Sequence, residues 1–304
     1  MIILKIITKF DAFKNNMKSQ TLKWIILVAL ALIWGSSFIL IKKGLVGLNP
    51  FQLGSLRIIF CAVFLLIIGF KSLTSIAQHQ WKYIALTSLF GTFIPAYLFA
   101  IAETKVSSSI CSILNSLTPL NTLILGAIAF GLNFRRNQVF GIIIGLIGTA
   151  VLIFTGKTQT ASEDYSYSVF VLIATICYAT NVNLIKKYLS DVKPLSITTG
   201  NFLVMLVPAI LILCFTDFSS KMNLPVTHHA MFFVMILGII GTGVANVIFY
   251  KLIQISSPVF ASSVTYLIPI VAFLWGILDN EMLTPLQFFG AFIILIGVYL
   301  ANKK

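Results

Sequence analysis

Ten runs of mostly apolar residues fill this 304-residue chain, at 23–41, 51–70, 82–102, 108–131, 138–155, 169–188, 196–215, 231–250, 258–278 and 285–302. A helix needs about 20 apolar residues to cross the hydrocarbon core of a bilayer. Lipid offers backbone N–H and C=O groups no partners, so only helices and closed barrels can span it. Barrel strands alternate with a period of two, and these runs do not alternate. The expected fold is therefore an all-α polytopic membrane protein with ten transmembrane helices.

Charge excludes the alternatives. Hydrophobic residues make up 59% of the chain and charged residues only 10%, against about 45–50% and 25% in a soluble domain. So few charges cannot cover a soluble surface, which excludes a soluble enzyme. The net charge of +13 invites a nucleic-acid reading. The basic residues, however, lie at the ends of apolar runs and form no polar face, so no nucleic-acid partner is expected.

Those basic residues also orient the chain. With the N-terminus in the cytoplasm, fifteen Lys and Arg fall on the cytoplasmic side and five outside, leaving Arg57 within the membrane. Lys and Arg concentrate in cytoplasmic loops, so both termini are expected in the cytoplasm of a multi-pass inner (plasma) membrane protein. Residues 1–22 read as a basic cytoplasmic tail. Lys5, Lys9 and Asp11 interrupt any signal-peptide core, and Met17 offers a second start that would make the first 16 residues an extension.

The halves repeat. Ile41-Lys42-Lys43 and Pro50 recur 144 positions later as Ile185-Lys186-Lys187 and Pro194. From Gly91 the shift is 150. Gly91-Thr92, Phe99, Ser107, Ser112, Leu117, Pro119 and Gly126 recur as Gly241-Thr242, Phe249, Ser257, Ser262, Leu267, Pro269 and Gly276. Beyond that it is 149, with Phe140-Gly141 and Gly148 matching Phe289-Gly290 and Gly297. Offsets that change only in loops mark a duplicated module. The modules are 23–156 and 169–302, joined by an outer linker at 157–168. Each holds five helices, and an odd count inverts the second copy. Inverted repeats are a transporter signature, because two gates related by pseudo-symmetry around a midplane site permit alternating access.

Trp34-Gly35-Ser36-Ser37-Phe38, Pro50 with Arg57, Leu117-Thr118-Pro119-Leu120, and Glu281 followed by Gly290 and Ile294-Leu295-Ile296-Gly297 resemble the EamA-type branch of the drug/metabolite transporter superfamily. The resemblance runs from about Lys23 almost to the end. It implies two EamA modules and secondary transport, usually export, of amino acids or other small metabolites. It further implies that helices 1, 3, 4, 6, 8 and 9 surround a central cavity. One departure is plain: the family often carries a Glu after both helix 4 and helix 9, and here Glu281 is matched by Leu132.

The candidate cavity residues follow from polarity and from the repeat. Arg57 is the only ionisable side chain well inside an apolar run, an expensive placement that usually faces protein or water. It reads as an anchor for a substrate carboxylate or a gate partner, or as a side chain that snorkels to the outer surface or caps neighbouring carbonyls. Its repeat partner is Asn201. Trp34 and Ser37 align with Tyr178 and Asn181. Asn115 and Thr118 on helix 4 stand with Thr265 and Tyr266 on helix 9, while Tyr97, Asn246 and Tyr250 add polar and aromatic groups to helices 3 and 8. Pro119 and Pro269, at matched positions, are hinge candidates. Glu103 is expected simply to meet water, and Gly141-x-x-x-Gly145 to pack within the fold.

No catalytic motif, metal-ligand cluster or cofactor signature occurs. Cys61, Cys111, Cys177 and Cys214 sit in apolar runs as small hydrophobes, and His79, His228 and His229 lie in predicted loops. The expected partners are a small-molecule substrate and membrane lipid; a monomer and a homodimer stay equally open. Two other readings compete. A membrane-embedded transferase-type enzyme would need acids, bases or ligands converging in one pocket. A non-transporting membrane scaffold would have a closed apolar interior.

Overall fold

The computed structural model describes residues 19–106, 108–154, 164–278 and 285–302. The expected tail with Met17, Ser107, residues 155–163 of the expected linker, and residues 279–284 with Glu281 lie outside the described residues. Among those described, all regular structure is helical. Six helices are long and apolar enough to cross a membrane: α1 (Thr21–Gly44), α2 (Pro50–Ser75), α3 (Gln78–Ala102), α6 (Ser168–Tyr188), α7 (Pro194–Cys214) and α8 (Pro225–Ile255). Helical segments also occupy the other expected positions. They are α4 (Ser108–Asn115 and Thr118–Ile128), α5 (Arg136–Phe154), α9 (Pro258–Ser262 and Val264–Leu278) and α10 (Pro285–Asn302).

Local chemistry sets the starts. Asn49 caps α2 by accepting from the Gln52 backbone while Gln52 Oε1 accepts from the Asn49 N–H, and Pro50 supplies the pre-set φ at N1. Pro194 opens α7 with the same pre-set φ but without a side-chain cap. Ser257 caps α9 ahead of Pro258. Outward-facing Ile67, Val207, Phe215 and Phe292 are exposed, as suits side chains whose solvent is lipid.

The inverted relation between the halves is written into the α5–α10 seam. Gly141 lies against Gly297 and Ala301, and Gly148 against Gly290 and Ile294, so the two helices run antiparallel. Gly141 and Gly290 are repeat twins, as are Gly148 and Gly297. Exchanging the halves therefore maps the seam onto itself. A Cβ on Gly141 would sit 2.6 Å from the Gly297 carbonyl oxygen, and one on Gly297 2.7 Å from that of Gly141. Glycine lets the backbones close to this distance, and Gly141 and Gly145 do pack within the fold.

The halves also meet at the end of the bundle that carries Lys71, Lys82, Lys187 and Lys193. There Tyr83 stacks on Tyr188 with centroids 4.2 Å apart. Gln80 donates to Asp191 at 3.0 Å, and the hydroxyls of Ser75 and Ser196 lie 2.9 Å apart. We call this the basic end and the other, with Lys42 and Glu103, the opposite end.

Candidate functional site

Two helices depart from α geometry at matched places. α3 takes a π-helical course over Leu89–Phe93, and α8 over Leu237–Val244. Each contains the twin Gly-Thr pair, Gly91-Thr92 or Gly241-Thr242. A π turn misaligns the i→i−4 ladder and leaves carbonyls available, often at functional sites. Here Trp34 Nε1 donates to the Gly241 carbonyl at 2.9 Å, and the indole stands edge-on to Phe249 at 4.9 Å. Trp34 is a cavity candidate from its residue type and repeat position, while the π turn that holds it leaves no mark in the sequence.

A cavity with about 870 Å³ of empty space, its mouth included, lies between the halves. Of the sequence candidates, Trp34, Ser37, Arg57, Asn115, Thr118, Tyr178, Asn181, Asn246 and Thr265 line it. The contributing helices are α1, α3, α4, α6, α8 and α9, with α2 added through Arg57. Thr92, Phe99, Thr242 and Phe249, absent from the sequence candidates, also line it. All four belong to matched pairs of the repeat, which is the signal the sequence carries for them.

Tyr97, Tyr250 and Tyr266 fall outside the lining. The Tyr97 ring packs on Gly54 between α2 and α3, and its hydroxyl lies 2.9 Å from that of Ser55. Tyr250 is 1% exposed, with its hydroxyl 3.0 Å from the Asn201 amide. Tyr266 lies against Gly145 and donates to the Ile142 carbonyl at 3.1 Å. In each case a neighbouring helix supplies the partner, which the residue's own sequence does not disclose. The two prolines differ from one another in setting. α4 breaks at Ser116-Leu117, so Pro119 begins a new helical segment. Pro269 lies inside a continuous segment, and α9 breaks earlier, at Ser263.

The polar groups divide unevenly between the halves. Arg57 Nε donates to Thr242 Oγ1 at 2.7 Å, and Thr242 Oγ1 donates to the Leu237 carbonyl at 2.9 Å. Arg57 therefore bridges α2 to the π turn of α8 and does not snorkel outward. Among the described residues its terminal nitrogens have no hydrogen bond or ion pair. The twin site is built differently. Asn201 sits with Thr87 and Tyr250, and Thr92 Oγ1, twin of Thr242 Oγ1, is buried without a partner. Asn181 packs directly against Gly91, as its twin Ser37 packs against Gly241. Asn181 Oδ1 is likewise buried and unpartnered. The cavity thus offers a guanidinium on one wall and the Asn181 amide on another, and among the described residues its lining holds no carboxylate.

Glu103 does not simply meet water. One carboxylate oxygen accepts from Ser108 Oγ at 2.9 Å, and the other is buried without a partner. Burial pushes this carboxyl up to about 8, with the Ser108 bond, Arg57 and Lys42 opposing the shift.

An apolar helical bundle whose inverted halves enclose a polar, aromatic-lined cavity has the architecture of a membrane transporter. The EamA-like transporter family matches residues 22–154 and 166–303, and the chain belongs to that family. It is a multi-pass membrane transporter and not an enzyme. It is 25% identical over 283 residues to a probable amino-acid metabolite efflux pump of Escherichia coli K12, covering 91% of this chain and 93% of the relative. It is 26% identical over 282 residues to an uncharacterized inner membrane transporter of the same organism, covering 91% and 89%. A solved crystal structure at 17% identity superposes with a TM-score of 0.71, covering 91% of this chain and 95% of the other, and shares its fold.

Proposed function

We propose that this transporter exports small zwitterionic metabolites, amino acids or close relatives, across the inner (plasma) membrane by alternating access, with both termini in the cytoplasm. The observation that carries the reading is Arg57. A guanidinium at membrane depth costs about 2.5–3.5 kcal/mol on insertion scales. A hydrogen bond to a charged group returns about 1.5–3 kcal/mol, so the one bond to Thr242 leaves little surplus. Two NH₂ groups remain for a carboxylate, which a guanidinium can hold in bidentate geometry. Asn181 Oδ1 is an acceptor suited to an ammonium group, and Trp34, Phe99 and Tyr178 suit an apolar side chain. The Escherichia coli relative, a probable amino-acid metabolite efflux pump, agrees with this substrate class.

The test is efflux from proteoliposomes preloaded with a panel of labelled amino acids and with matched amines lacking the carboxylate. Flux of some carboxylate-bearing members, and none of the matched amines, is the expected result. A panel with no flux above empty vesicles would overturn the proposal, as would equal flux of acids and amines.

A further inference from the structure

The repeat pairs two lysines that stand in different states. Lys186, near the end of α6, directs its ammonium at the carbonyls of Ile253 (3.2 Å), Gln254 (3.2 Å) and Ser256 (2.7 Å). These carbonyls belong to the C-terminal end of α8, where the backbone leaves acceptors unsatisfied and the helix dipole is negative. Gln254 adds bonds from its amide nitrogen to the Leu189 carbonyl at 3.2 Å and the Val192 carbonyl at 2.6 Å. Together these contacts tie the end of α6 and the turn after it to the α8–α9 junction at the basic end.

The twin of Lys186 is Lys42, at the end of α1. Twins of Ile253, Gln254 and Ser256 in the 150-offset block are Glu103, Thr104 and Val106, at the C-terminal end of α3. That clamp is not made. Lys42 is exposed and, among the described residues, makes no hydrogen bond or ion pair. It stands within electrostatic reach of Glu103, whose buried Oε1 has no partner. One end carries a closed clamp, and the other carries the same parts apart with an acceptor to spare.

Resting on the alternating-access reading, we infer that Lys186 and Lys42 are twin gate residues. Lys186 holds the basic end shut in the conformation seen here. Lys42 closes the opposite end, on the carbonyls of Glu103, Thr104 and Val106 and on the Glu103 carboxylate, when the cavity turns to face the basic side. The two clamps exclude one another, because closing both would occlude the cavity permanently and opening both would leave a leak.

The test uses the full chain in vesicles with Cys61, Cys111, Cys177 and Cys214 replaced and a single cavity cysteine, Ser37→Cys. A membrane-impermeant maleimide is applied to each face in turn. The parent should label faster from the face carrying Lys42. In Lys186→Gln the basic-face rate should rise at least about fivefold, the lower end of ordinary conformational coupling, while the other rate falls. In Lys42→Gln the basic-face rate should fall by a similar factor and substrate flux should be lost, with Lys42→Arg restoring both. Since Lys42 makes no hydrogen bond or ion pair here among the described residues, Lys42→Gln should insert and fold as the parent does, so it carries the test if Lys186→Gln does not accumulate. Unchanged rates and flux in Lys42→Gln would overturn the gate assignment and leave alternating access standing. Labelling confined to one face in every variant, substrate present or absent, would sink alternating access and this inference with it.

Discussion

Arg57 is the residue on which the substrate reading turns, and its neighbours set the size of the expected effect. Removing one partner of a buried hydrogen-bonded charge pair costs about 2–5 kcal/mol. Arg57→Ala should therefore lower flux at least about 30-fold while membrane insertion is unchanged. Arg57→Lys should recover only part, because an ammonium keeps the charge but not the fork that reaches Thr242 and a carboxylate together. Flux assays on both variants, with quantified membrane levels, check this. Glu103 gives a second expectation at the same scale. Its carboxyl, held near 8 in the fold, lies above the usual carboxylate range. Between pH 4.5 and 8 the unfolded chain loses this proton and the folded chain keeps it, so stability falls as pH rises through that window and is level above it. The thermal midpoint of detergent-solubilised protein should show this slope, and Glu103→Gln should flatten it. Arg57 was legible in the sequence because a charge inside an apolar run has few innocent explanations. The orphan oxygens of Thr92 and Asn181 were not, since they depend on what the facing helix fails to supply.

Among the elements, glycine and proline carried the information that Leu and Ile could not. The order of Gly91, Gly126, Gly141 and Gly148 and their twins discloses the duplication in the sequence itself. Helix facing was not legible in the same way. A helix that is apolar all round has no polar face to mark its orientation, which is why Tyr97, Tyr250 and Tyr266 joined the cavity candidates and then proved to fill seams between helices. The π turns in α3 and α8 also left no readable pattern. What the Gly seam does permit is a quantitative expectation. A Cβ at position 297 would lie 2.5 Å from the Gly145 backbone nitrogen, with no flexible side-chain end to yield. Overpacking of this kind costs about 1–3 kcal/mol, so Gly297→Val should lower the thermal midpoint by several degrees. A smaller loss at the lipid-facing Phe292→Val would show that the effect belongs to the seam and not to helix α10 in general.

For the whole molecule, the unequal chemistry of two equivalent halves is the feature that separates a transporter from a symmetric scaffold. Arg57 stands where its twin is Asn201, Thr242 is engaged where Thr92 is not, and Lys186 is clamped where Lys42 makes no hydrogen bond or ion pair among the described residues. The overall plan was legible from parity, since five spans per copy force inversion. The placement of charge within it was not, because it arises from differences between copies. The self-matching ridge between α5 and α10 has an evolutionary and practical corollary. Because each copy presents to the other the same glycines it receives, either copy alone already displays a complete docking face for its own reverse-oriented likeness. Two polypeptides ending and beginning within the linker, co-expressed without a covalent join, should find one another in the bilayer and co-purify through that ridge.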